Sequence, residues 1–156
     1  MSRALLPGSY DPITLGHLNI VKRAAALYDE VIVAVMNNDA KTYMFTMEER
    51  TALAELATAE LANVRVVSST GLLIDLFDKV EADVIVKGVR NGKDRAYEQE
   101  MAAWNLEHNP KAKTVFMQAA DDFETLSSTV VREKLQNGEW PAGLLPAPVL
   151  VHLQGR

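Results

Sequence analysis

The stretch Gly8-Ser9-Tyr10-Asp11-Pro12-Ile13-Thr14-Leu15-Gly16-His17 carries the clearest chemistry in the chain. It follows the apolar run Ala4-Leu5-Leu6 and opens an amphipathic segment reaching about Tyr28, a pattern of strand, tight loop and helix. Such a junction points backbone N–H groups and the positive end of a helix dipole at one spot, which suits a phosphate. Thr14 is placed to cap the helix through its hydroxyl. His17 then falls in the first turn, beside any anion held there, where an imidazole can donate to a phosphoryl oxygen on which charge grows. Its own charge stays open at this level: the helix end disfavours imidazolium and phosphates favour it.

Three other places could serve that chemistry. Lys87 and Arg90 flank Gly88 and Val89, just past the apolar run Val84-Ile85-Val86. Arg offers a fork matched to phosphate oxygens, Lys a mobile point charge, and Gly88 would let backbone approach a ligand closely. Lys41, in a polar loop, could close over the same region, although by position alone it reads as a solvated side chain. Ser127, Ser128 and Thr129 read first as a helix cap; the same hydroxyls and free N–H groups can also bind phosphate. The other candidates are bland. His108 and His152 lie near expected helix ends, and Asp121-Asp122 and Glu48-Glu49 read as solvated faces. No His/Asp/Glu set has metal-ligand spacing.

These residues need a scaffold. Val31–Met36 is apolar throughout and β-branched, as in a strand covered on both faces. Thr46 with Glu49 forms a capping box that starts a helix ending near Leu61. Further strands are expected at 64–67, 84–86 and 114–117. Further helices are expected at 71–80, from about Asp94 to His108, from Ser127-Ser128 to Asn137-Gly138, and from Pro146 to Leu153. Five strands alternating with helices predict a Rossmann-like, doubly wound α/β sheet of five parallel strands in the order 3-2-1-4-5, with right-handed crossovers. In that order the first and fourth strands are neighbours and the winding reverses between them, which is where ligands bind. The loops after those two strands carry the most suggestive residues.

The length of 156 residues fits a single domain spanning 1–156. With 48% hydrophobic and 24% charged residues the composition is that of an ordinary soluble protein. The absence of cysteine rules out disulfides, thiolate metal sites and cysteine nucleophiles, and is compatible with a reducing cytosol. The first apolar run is broken at Pro7-Gly8, so no signal peptide is expected, and no apolar run approaches the ~20 residues that span a bilayer. A net charge of −5 and the lack of a basic, aromatic-interleaved stripe argue against a nucleic-acid partner.

Thr14-Leu15-Gly16-His17 matches the T/H-x-G-H signature of nucleotidyltransferases. The chain as a whole resembles the bacterial phosphopantetheine adenylyltransferases. Lys41 and Met44-Phe45-Thr46-Met47-Glu48-Glu49-Arg50 resemble that family's lysine loop and helix start. Val86-Lys87-Gly88-Val89-Arg90, Tyr97-Glu98 with Met101-Ala102 and Asn105, Leu126–Thr129, and Leu145-Pro146-Ala147-Pro148-Val149 match its later motifs. Departures are Tyr10 for the usual Phe, Lys87 where many members carry Arg, and divergent stretches at 91–96 and 122–125.

The resemblance implies ATP and 4′-phosphopantetheine as substrates, and dephospho-coenzyme A and pyrophosphate as products. It implies Mg²⁺ carried on the ATP phosphates, no protein metal site, a homohexamer and a cytoplasmic location. It makes His17, Lys41 and Arg90 catalytic, with His17 stabilising the transition state. ATP would be held by Ser9, Tyr10, His17, Gly88, Val89, Arg90, Glu98, Phe123, Glu124, Thr125, Leu126, Ser127, Ser128 and Thr129. The acceptor would be held by Ser9, Lys41, Leu73 and Lys87. The alternatives are the same chemistry on nicotinamide mononucleotide or on glycerol phosphate with CTP, and a non-catalytic adenine-nucleotide sensor.

Overall fold

The structure, a computed structural model, describes residues 2–38, 40–123 and 126–155. Its elements are β1 (Arg3–Gly8), α1 (Leu15–Leu27), β2 (Glu30–Met36), α2 (Met47–Thr58), β3 (Val64–Ser69), α3 (Leu73–Lys79), β4 (Val84–Val89), α4 (Gly92–His108), β5 (Thr114–Gln118), α5 (Ser128–Gln136) and α6 (Ala147–Gln154). A 3-10 turn, Asp121–Phe123, follows β5. The five strands form one all-parallel sheet in the order β3-β2-β1-β4-β5, as the alternation of strand and helix predicts.

The run in β2 explains why the sheet is covered on both faces. Successive strand residues point to opposite sides. Val31, Val33 and Val35 therefore join one core cluster, with Ile20, Val21 and Ala24 of α1, Leu53 of α2, Val131 of α5 and Val149 of α6. Ile32 and Ala34 join the other, with Leu5, Ile85, and Leu76 and Phe77 of α3. Residues 31–35 are wholly buried, and each Val or Ile so placed contributes about 1.5–3 kcal/mol through burial of apolar surface.

Several boundaries differ from the sequence reading. α2 ends at Thr58 rather than near Leu61, because the chain tightens into a turn with Leu61 N–H donating to Thr58 O at 2.9 Å. α4 begins at Gly92 rather than Asp94, because the Asn91 side chain caps it by accepting from Asp94 N–H at 2.9 Å. β4 runs on to Val89, since Lys87, Gly88 and Val89 continue the ladder opposite Phe116, Met117 and Gln118. Lys87 and Gly88 are thus strand residues, not residues of the loop beyond.

Candidate active site

β1 and β4 are in register only at Ala4–Val84 and Leu5–Ile85. Beyond these pairs the two strands part, and the gap between their carboxyl ends is the floor of a cavity of about 370 Å³. Lys87 Nζ spans the gap, donating to Pro7 O at 3.4 Å.

The loop after β1 is shaped by short-range contacts. Tyr10 takes a left-handed conformation with φ of 46°, which costs a non-glycine residue about 1–2 kcal/mol. Its ring is buried and its hydroxyl donates to Leu6 O at 2.9 Å. A Cβ on Gly8 would lie 3.0 Å from that ring, so glycine leaves the room the tyrosine occupies. Burial also pushes the Tyr10 phenol well above its ordinary pKa, so it stays a donor.

Thr14 begins α1 with a reciprocal cap. His17 N–H donates to Thr14 Oγ1 at 3.3 Å, and Thr14 N–H donates to His17 Nδ1 at 3.0 Å. Because Nδ1 is an acceptor, the neutral ring carries its proton on Nε2. Burial, then the positive charges of Lys87 and Arg90, push the His17 pKa down to about 4. The ring packs edge-on to Tyr10 at 5.0 Å and lines the cavity as a neutral donor. The amide supply is leaner than the sequence suggests. Leu15 N–H is taken by Leu144 O at 2.9 Å and His17 N–H by Thr14, which leaves the Gly16 amide in that turn.

The cations come from β4 and the loop after β2. Lys87 pairs with Glu98 at 3.6 Å, and Arg90 with Asp94 at 3.7 Å, so α4 sets one carboxylate against each. Arg90 also donates to Leu126 O at 3.4 Å, linking it to the loop before α5. Gly88 lines the cavity and is also close-packed: a Cβ there would sit 2.9 Å from Ile20 Cγ1 of α1. In α5, Ser127 caps by accepting from Val130 N–H at 3.2 Å, Ser128 Oγ donates to Pro12 O at 2.9 Å, and Thr129 Oγ1 accepts from Arg132 at 3.1 Å. The hydroxyls therefore cap the helix and join it to the first loop, while the helix start still faces the cavity.

Of the residues expected to hold nucleotide, Ser9, Tyr10, His17, Gly88, Arg90, Glu98, Phe123, Leu126, Ser127, Ser128 and Thr129 line this cavity. Val89 does not. Its side chain is buried and its carbonyl accepts from Ala119 N–H at 2.8 Å, because β4 still runs as a strand there. Glu124 and Thr125 lie outside the described residues. A second, more open cavity of about 1000 Å³ adjoins the first, and Ser9, Lys41, Leu73 and Lys87 all line it. Ser9, Lys41 and Lys87 border both.

Tyr97, which stands in the Tyr97-Glu98 match, also lines the first cavity, as do Asp94 and Arg132, which nothing in the chain singles out. The same holds for the framing role of Asp11. Arg50 does leave a signal. It shares a helical stripe with buried Leu53 and Ala54, so the spacing directs a cation inward.

The cytidylyltransferase-like family matches residues 5–134. A phosphopantetheine adenylyltransferase of Limosilactobacillus fermentum is 43% identical over 156 residues, covering 100% of this chain and 90% of the relative. One of Clostridium kluyveri is 44% identical over 153 residues, covering 98% of this chain and 93% of the relative. Among solved structures, a lipopolysaccharide core biosynthesis protein from Thermoplasma volcanium superposes with a TM-score of 0.59 at 26% identity, over 78% of this chain and 99% of that one.

Proposed function

The chain belongs to the cytidylyltransferase-like family and, within it, to the phosphopantetheine adenylyltransferases; from that premise we propose how its two cavities carry out adenylyl transfer from ATP to 4′-phosphopantetheine, a step of coenzyme A biosynthesis. An oxygen of the acceptor phosphate attacks the α-phosphorus of ATP. The bond to the α–β bridging oxygen breaks, and pyrophosphate leaves with that electron pair as dephospho-coenzyme A forms.

One observation carries this assignment of residues. The two cavities meet along a border that includes Ser9, Lys41, Lys87 and Glu98, so two phosphates brought in from opposite sides would meet beside two cations, one of them paired with Glu98. On this reading the smaller cavity takes ATP and the larger takes the acceptor's pantetheine arm. His17 Nε2–H donates to the α-phosphate oxygen as charge builds, and Arg90 supports the same phosphates from the other wall. The neutral imidazole suits this role, since it stabilises charge without needing a proton change.

Asp94 and Glu98 are committed to Arg90 and Lys87, and among the described residues no three His, Cys, Asp or Glu side chains gather as a metal site. The donor set therefore fits Mg²⁺ arriving on the triphosphate, and the substrate is written as the magnesium–ATP complex. Residues 1–156 act as one catalytic domain on this reading, in the cytoplasm, as a homohexamer. The exposed apolar residues of α4 support contact between copies. Among the described residues no helix is long and apolar enough to cross a membrane.

Incubation with magnesium–ATP and a panel of phosphorylated acceptors tests the proposal by mass spectrometry and pyrophosphate release. Dephospho-coenzyme A is expected from 4′-phosphopantetheine. Pyrophosphate release with nicotinamide mononucleotide or glycerol phosphate, and none with phosphopantetheine, would overturn it, as would tight ATP binding without turnover on any acceptor.

A further inference from the structure

Lys41 is exposed on a polar segment, yet it borders both cavities. A solvated lysine of this kind loses rotamer and backbone freedom when it is used, so something must hold the segment in place. Two buried ionised side chains touch that segment and the loop after β1 together. Arg50, 1% exposed, donates from Nε to Phe45 O at 3.1 Å and from Nη1 to Ser9 O at 3.0 Å and Met36 O at 3.3 Å. Its Nη2 donates to Asn37 Oδ1, and its guanidinium lies 4.0 Å from the Tyr43 ring centroid. Asp11, 2% exposed, sits in the loop after β1 and accepts from Met44 N–H at 2.9 Å and Phe45 N–H at 3.0 Å. Arg132 anchors Asp11 in turn, donating to its carbonyl at 2.9 Å.

We propose that Arg50 and Asp11 are positioning residues: they clip the Lys41 segment, 40–46, to the loop after β1, and so set Lys41 at the rim where the two cavities meet. The chemistry explains the residue types. A guanidinium has a rigid fork of five donors, and here one group reaches carbonyls on three separate stretches of chain. A carboxylate accepts two adjacent backbone N–H groups from across the gap, which an amide in its place would do for one only. Neither side chain lines the meeting point as Lys41 and Lys87 do. The clip acts through Lys41, and it rests on the roles proposed for the two cavities.

The test is a cycle of Arg50→Lys, Lys41→Ala and the double variant. Arg50→Lys keeps the charge and loses the fork. The expected result is a drop in kcat of roughly ten- to a hundredfold, with the KM for ATP within about threefold. In the Lys41→Ala background the same substitution should add little further loss. Hydrogen exchange of the amides of 40–46 should speed up in Arg50→Lys while those of β1 and β2 stay protected. Equal losses with and without Lys41, or unchanged exchange in 40–46, would overturn the proposal, since a merely structural arginine would behave so. Should Arg50→Lys fold poorly, Tyr43→Ala removes the ring beneath the guanidinium at a half-buried site and is expected to act in the same direction, more weakly; unchanged exchange there would also overturn it. If the parent protein transfers no adenylyl group to 4′-phosphopantetheine, the functional reading fails on its own. The clip is then judged by exchange of the amides of 40–46 in Arg50→Lys and Tyr43→Ala, and unchanged exchange overturns it.

Discussion

His17 is held in one tautomer before any substrate arrives, because Thr14 N–H occupies Nδ1. With its pKa near 4 rather than 6.5, the ring stays neutral across the physiological range. The folded state binds this proton more weakly than the unfolded one. The resulting stability is complete above the ordinary value of 6.5 and is lost as pH falls from there through about 4. The ring resonances of His17 in the ligand-free protein should therefore stay flat by NMR from neutral pH down to about 5.5 and move only in more acidic solution. A midpoint near the ordinary value would contradict the burial of the ring beside Lys87 and Arg90. His17→Ala removes one hydrogen bond of the cap, a loss of about 1 kcal/mol in urea unfolding. It should lower kcat by about a hundred- to a thousandfold. Turnover within a few-fold of the parent would take the imidazole out of the chemistry. Threonine and histidine three positions apart at a helix start can be seen in the chain; which nitrogen holds the proton cannot, since that depends on where two backbone amides point.

α1 lies against the end of β4 because Gly88 has no side chain there. A methyl group at that position would meet Ile20 Cγ1 at 2.9 Å. Gly88→Ala should cost about 1–3 kcal/mol of stability through overpacking. Combined with Ile20→Ala, it should cost clearly less than the sum of the two, as measured by urea unfolding. Full additivity would mean that the helix and strand do not meet as described. The same contact bears on the site, since β4 carries Lys87 and α1 carries His17. A lone glycine beside two basic residues suggests ligand approach when only the sequence is read. Packing across α1 and β4 gives a second reason for it, and periodicity within one element cannot reveal a contact made with another.

α4 leaves much of its surface uncovered. Among its described residues Asn105 is buried, while Tyr97, Met101 and Trp104 are 57%, 43% and 41% exposed at helical spacing. A stripe of that kind supports the proposed contact between copies. Trp104→Glu should lower the mass in solution, read by light scattering, without changing the circular dichroism spectrum. A parent protein that is already monomeric at assay concentration would remove the assembly from the proposal. The same face borders the larger cavity through Tyr97, Met101 and Trp104, so on the proposed function assembly and acceptor binding would share one helix.

The order of strands and the nearness of β1 and β4 were legible in the chain, because parallel strands joined by helices have few allowed windings and the apolar runs mark the strands directly. His17, Lys87 and Arg90 stood out for the same local reason, since their residue types lie at a helix start or a strand end, whereas Lys41 read as solvated by position and was singled out by the family resemblance. The proton on Nε2 came from where the Thr14 amide points, while the meeting of two cavities at Lys41 and Lys87, the burial of Val89 and the clip made by Asp11 and Arg50 came from long-range contacts. The cavity between the first and fourth strands depends on how far β1 and β4 part beyond Leu5 and Ile85, and that separation is set by packing across the whole sheet rather than by any one segment.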